Sequence, residues 1–426
     1  MSRIITAFAC AVFALPAFAD TTAIVGGKVH TVGPQGTIES GTVLIVDGRI
    51  AAVGTDVEVP AGAITVDASG KVVTPGLFAP FSELGLVEVS LSAGPADSGQ
   101  RGERFTAGFD VADAYNPRSS LIAINRIEGI TRAVVAPTPA YPDASGAGHI
   151  LAGLGAVVNL GDDDVLDRRG AAMVVALGES GSQFAGGSRT AAWLILRNAL
   201  DEAVDYREHR SDFERGMRRE YTHGVADLEA LQGVINGNTP LIVRIHRASD
   251  IEVLIELVDE YGLKAIIQGG TESWMVADEL AASDIAVVVD PMANLPGNFD
   301  QLNARFGSAS ILLAAGVKVA IGDADSHNAR NITQAAGNAV AHGLDWDAAL
   351  RSITLTPAEI YGVGAVAGSL EVGKAADVVI WPGDPLELMN YPEQVYINGV
   401  QIPMVSRQTL LRDRYLQNDG PPAYRN

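Results

Sequence analysis

A chain of 426 residues, 47% hydrophobic and 19% charged, can bury one large core and a smaller companion, which excludes a disordered protein. Its formal net charge of −21 repels phosphate backbones and anionic headgroups. Neither nucleic acid nor a membrane surface is therefore an expected partner.

The chain opens with Met1-Ser2-Arg3, an apolar run over 4–16 and then Ala17-Phe18-Ala19. This is the charged, apolar and small-residue order of a secretory signal peptide, with cleavage expected after Ala19 and a periplasmic or secreted destination. The run is shorter than the ~20 residues a spanning helix needs. Cys10 is the sole cysteine and would leave with the leader, so disulfides and thiolate metal sites are excluded from the mature protein.

From residue 20 to 74 short β-rich runs at 23–25, 42–46, 50–53, 64–66 and 71–73 alternate with turns, and Asp47-Gly48 fits a two-residue hairpin. Between 75 and 365 apolar runs alternate with helix-period segments, the pattern of parallel βα units. Expected strands are 77–78, 133–135, 173–176, 241–245, 265–267, 285–289 and 317–321; expected helices are 251–261, 274–282, 311–315 and 331–342. The simplest closed arrangement is an α/β fold with a TIM-like (β/α)8 barrel, whose sites form at the C-terminal strand ends; a doubly wound sheet is the alternative. Residues 184–230 read as an insertion or long crossover. Within them, the mixed charges of 206–220 fit a solvated helix or an arginine-bearing lid that steers a carboxylate-containing substrate. β character returns at 368–381 and 395–400, and 401–426 reads as a surface tail.

Three motifs carry a resemblance. They are Val46-Asp47-Gly48-Arg49-Ile50-Ala51-Ala52-Val53-Gly54, then Pro75-Gly76-Leu77-Phe78, then Gly368-Ser369-Leu370-Glu371-Val372-Gly373-Lys374-Ala375-Ala376-Asp377. Together they resemble the amidohydrolase superfamily, in particular the imidazolonepropionase-like amidohydrolases. The resemblance implies a small discontinuous β-sandwich domain from 20–74 and 366–405, a barrel over 75–365 and a C-terminal extension over 406–426. It also implies C–N bond hydrolysis by water activated on one or two divalent metals.

Carried over residue by residue, the family's two first-strand histidines fall on Phe81 and Glu83. The fourth-strand carboxylate falls on Glu179, the fifth-strand histidine on His246, the sixth-strand histidine on Gly269 and the eighth-strand aspartate on Asp325, flanked by Asp323 and His327. Phenylalanine and glycine have no donor for a metal. What remains is a reduced site of Glu83, His246 and Asp325, enough for one zinc, manganese or iron ion with an open position, with Asp325 also the catalytic base. His149, His223 and His342 read as structural polar residues.

Two functions follow from the resemblance. The first is an exported hydrolase of amides, cyclic amides or dipeptides with a single-metal site. The alternative is a non-catalytic binding or partner subunit that holds no metal. For either, a homo-oligomer or a hetero-oligomer with an intact paralogue is the expected assembly.

Overall fold

The computed structural model describes residues 21–89, 92, 94, 96–99, 105–139, 148–322 and 326–416. The chain begins with β1 (Thr21–His30), β2 (Thr37–Val46), β3 (Arg49–Gly54), β4 (Ile64–Asp67) and β5 (Val72–Pro75). Eight barrel strands follow: β6 (Leu77–Ser82), β7 (Ile130–Val135), β8 (Leu151–Asn159), β9 (Leu166–Ala176), β10 (Leu241–Ile245), β11 (Ala265–Gly269), β12 (Ala286–Val289) and β13 (Val319–Ile321). β14 (Val378–Trp381), β15 (Gln394–Ile397) and β16 (Val400–Gln401) then return to the first sheet, where β14 runs antiparallel to β5.

The barrel sheet runs in sequence order from β6 to β13. Alternation along its strands sorts the side chains. Val174, Ile242, Ile266, Val288 and Ala320 fill the interior together with Phe78 and Phe81. Their neighbours Val243, Ile267, Val287 and Val319 pack outward against helical leucines such as Leu254, Leu280 and Leu312. Strands covered on both faces read as continuous apolar runs for this reason.

The barrel departs from the expected all-parallel repeat in one place. β8 runs antiparallel to both β7 and β9, so its first residue, not its last, lies at the barrel mouth. No ladder joins β13 to β6 among the described residues. At that seam Gly322 abuts Pro80, where a Cβ would lie 2.7 Å from the ring, and proline has no N–H to give a ladder bond.

The helices are α1 (Ser120–Arg126), α2 (Gly178–Ser182), α3 (Arg189–Glu214), α4 (Val225–Ile235), α5 (Ala248–Tyr261), α6 (Ala277–Ala282), α7 (Ser308–Ala314), α8 (Ile332–Ala341), α9 (Trp346–Ser352), α10 (Leu355–Ile360) and α11 (Arg407–Leu416). None of those described is long and apolar enough to cross a membrane. The charged stretch expected at 206–220 lies on α3 and beyond it, with the helix broken at His209. Its arginines pair with nearby carboxylates, Arg210 with Glu214 and Glu229, Arg215 with Asp212 and Arg218 with Asp205. That is the behaviour of a solvated helix face.

The aspartate of the C-terminal motif ties the two sheets together. Asp377 Oδ2 lies 2.7 Å from Nε of the buried Arg132 on β7, while its Oδ1 accepts the Asn398 N–H at 2.9 Å. Arg132 also pairs with Asp167 and donates to Asn398 Oδ1. Trp381 on β14 donates from Nε1 to Thr74 Oγ1 on β5 at 2.9 Å.

Candidate active site at the barrel mouth

Phe81 stands at the first histidine position and is fully buried within the apolar interior. The ring continues the interior packing up to the rim, so this corner of the mouth is hydrocarbon. Two residues later Glu83 accepts a hydrogen bond from Thr138 Oγ1 at 3.4 Å, toward the segment that follows β7.

Across the barrel, at the end of β10, His246 is mostly buried. Its Nδ1 lies 2.8 Å from Thr271 Oγ1 and 3.2 Å from Gln301 Nε2, which is also 3.5 Å from the ring's Nε2. Burial lowers its pKa below the usual histidine range, and the positive charge of Arg244 adds to this. The imidazole is therefore neutral at pH 7. Arg244 precedes it by two residues, on the inward face shared with Ile242, and donates from Nε to Gln268 Oε1 at 3.1 Å.

Gly269 shows why the sixth-strand histidine is absent. Its φ is +97°, and a Cβ built there would meet His246 Cε1 at 2.4 Å. The His246 ring occupies the space that a side chain at 269 would need, so the two positions exclude each other in this backbone.

Glu179, after β9, belongs to a charged cluster that motif reading does not reveal. Arg189 at the start of α3 lies 2.5 Å from Asp300, 3.5 Å from Asp250 and 4.0 Å from Glu179. Asp300 also accepts the Glu179 N–H at 2.5 Å. This arginine stands among the carboxylates as their shared counter-charge and pulls the loops after β9, β10 and β12 together. Arg189, Asp300 and Gln301 carried no sequence signal.

A second polar cluster lies at the mouth end of β8. Glu202, buried on α3, accepts the N–H groups of Thr222 and His223 at 2.9 and 3.0 Å and faces His223 Nδ1 at 2.9 Å. Burial acts to raise the Glu202 pKa, but these bonds outweigh it and hold the group below its usual value. His149 Nδ1 accepts the Leu151 N–H at 3.1 Å, and its ring meets that of His223 edge-on at 5.7 Å. Both histidines are thus part of the packing.

Asp325 and Asp323 lie outside the described residues, so the expected trio is seen only as Glu83 and His246. No hydrogen bond or ion pair joins those two, and each has its own partners. Among the described residues no group of three or more histidine, cysteine, aspartate or glutamate side chains is arranged to hold a metal. The described residues by themselves do not make a ligand set for the divalent metal usual in the family. Phe81 and Gly269 give no donor, Glu83 turns to Thr138, and the His246 nitrogens face Thr271 and Gln301.

The amidohydrolase family model matches residues 198–406. A curated relative, the amidohydrolase tasK of Hapsidospora irregularis, is 24% identical over 396 residues, covering 85% of this chain and 39% of the relative. This chain thus spans about two fifths of that protein's length. Among solved structures, an amidohydrolase from Thermotoga maritima MSB8 superposes with a TM-score of 0.79 at 24% identity, over 90% of this chain and 99% of its own. A molinate hydrolase superposes with a TM-score of 0.56 at 19% identity, over 96% and 98%. The barrel and the returning β-strands agree with the matched segment: residues 198–406 carry the amidohydrolase family's pattern, and the chain has the fold of the solved amidohydrolase.

Proposed function

We propose that this protein hydrolyses a C–N bond in a small amide, cyclic amide or dipeptide, at the barrel mouth beside His246. The observation that carries this reading is the neutral imidazole held at the fifth-strand position by Thr271 and Gln301. An imidazole in that state accepts a proton from a water within hydrogen-bond reach. Arg244, on the inward face of the same strand, supplies positive charge toward an oxyanion forming on the scissile carbonyl.

The test is turnover of a panel of N-acyl amino acids, dipeptides and cyclic amides by the purified chain, alone and with zinc, manganese or iron added. Activity that falls at least about 100-fold in His246→Gln supports the reading. With its pKa lowered, His246 stays in its basic form below pH 6.5, so activity should decline only as pH falls through that lowered value. Absence of turnover under every condition overturns it.

Phe81 favours a second reading, a binding or partner subunit on the same scaffold, because an apolar ring at the rim removes the most characteristic ligand position. Binding of panel molecules without turnover would select it. In both readings the segment 1–19 directs export, tested by the N-terminal sequence of the protein recovered from the periplasm or medium.

A further inference from the structure

The segment after β12 reaches His246 through a single 3-10 turn, Phe299–Gln301, which opens at Asn298, whose Oδ1 accepts the Asp300 N–H at 3.0 Å. At about three residues per turn, consecutive side chains leave it in different directions. Asp300 meets Arg189 and the Glu179 N–H, while Gln301 meets His246. The Gln301 amide has one orientation, because its Oε1 accepts the Gly297 N–H at 3.0 Å and leaves Nε2 to face the imidazole. Asp300 and Gln301 thus share one short piece of backbone, and neither moves far without the other.

Burial decides how firmly that piece is held. The Asp300 side chain is 2% exposed, and among the described residues Arg189 is the one cation in an ion pair with it. Asp250 differs, since it has Arg247 at 2.7 Å besides Arg189. A buried carboxylate stripped of its cation is strongly unfavourable, and the nearest relief is for the turn to carry Asp300 out to water. Gln301 then leaves His246 with it. A second tie lies beyond the turn, where Asn303 donates from N and Nδ2 to Glu272 at 3.1 and 2.9 Å. It anchors the chain after Gln301 but holds neither the Asp300 carboxylate nor the Gln301 amide.

We infer that Arg189 is a positioning residue for His246, acting through Asp300 and Gln301: the guanidinium at the start of α3 seats the turn that holds the imidazole in place. Thr271 Oγ1 fixes one ring nitrogen at 2.8 Å, and Gln301 Nε2 lies within 3.5 Å of both. Without Gln301 the ring keeps one side-chain partner and is free to turn about that bond. The effect on turnover rests on the hydrolase reading above; the placement of the ring does not.

The test is the imidazole ¹⁵N spectrum of the purified chain labelled on histidine, at about pH 8, above the usual histidine range. The His246 signals are identified by their loss in His246→Gln. Arg189→Gln and Gln301→Ala should each shift them alike, and the double variant should shift them no further, because the two residues act in series. Arg189→Gln/Asp300→Asn removes the stranded charge together with its cation and should return the signals toward the wild type, which keeps the test open where Arg189→Gln alone does not fold. The His30 signals, from the other sheet, should stay in place throughout. Where panel molecules are turned over, Arg189→Gln should lower kcat at least about tenfold with KM little changed. His246 signals indifferent to Arg189→Gln or to Gln301→Ala, shifts that add in the double variant, or an Arg189→Gln/Asp300→Asn protein that stays shifted would each overturn the inference. Absence of wild-type turnover with the spectral pattern intact would sink only the hydrolase reading, and His246-dependent turnover with signals indifferent to Arg189 would sink only this one.

Discussion

Replacing His149 with glutamine should flatten the acid side of this protein's stability profile. In the fold, burial is the largest influence on His149 and pulls its pKa down to about 4; the nearby His223 acts the same way and Asp227 opposes both. In the unfolded chain the same imidazole titrates near ~6.5. Between these values the unfolded state binds a proton that the folded state refuses, so stability falls as pH falls. The contribution is intact above the unfolded value and fully lost below the folded one. A gap of about 2.5 units at 1.36 kcal/mol each makes the loss about 3 kcal/mol. Glutamine keeps a polar side chain of similar length but does not titrate, and the loss of the Leu151 N–H bond to Nδ1 is the same at both pH values. Urea unfolding of both proteins at about pH 7 and pH 4.5 cancels the carboxylate titrations they share. The wild type should lose about 2–3 kcal/mol more than the variant over that interval. Equal losses, or a His149 proton resonance titrating near 6.5, would refute the reasoning.

Other perturbations follow from the packing. Arg132→Met leaves Asp167 and Asp377 buried without their cation and should destabilise by about 3–5 kcal/mol in urea unfolding. Gly269→Ala adds a Cβ at φ +97° against His246; the strain of that backbone region should cost at least about 1–2 kcal/mol, and the His246 resonance should shift as the ring is displaced. Phe81→Ala opens a void in the barrel interior and should cost about 3–5 kcal/mol, whereas a loss under about 1 kcal/mol would mean that the ring packs loosely.

Much of the architecture was legible because period and composition report burial directly. The apolar runs at 241–245, 265–267 and 285–289 lie on β10, β11 and on or beside β12, and the helix expected at 331–342 is α8 within a residue at each end. The antiparallel β8 was not, since residues 156–158 look like a strand in either direction and nothing local states which way the chain crosses the sheet. Of the site, His246 could be placed from its motif, as could the unsuitability of Phe81 and Gly269 as ligands. The partners of His246 could not, because Thr271 and Gln301 reach it from separate loops.

Sequence by itself determined that this chain builds an apolar barrel with a returning β-sheet, because alternation and turn chemistry are properties of neighbouring residues. It also determined that three of the usual four imidazoles are missing. Only the tertiary structure decided what stands in their place. The His246 ring lies over Gly269, and Arg189 gathers Glu179, Asp250 and Asp300 from the segments that follow three different strands. Each of these depends on which side of the barrel distant segments reach, and that is fixed by packing across the whole chain.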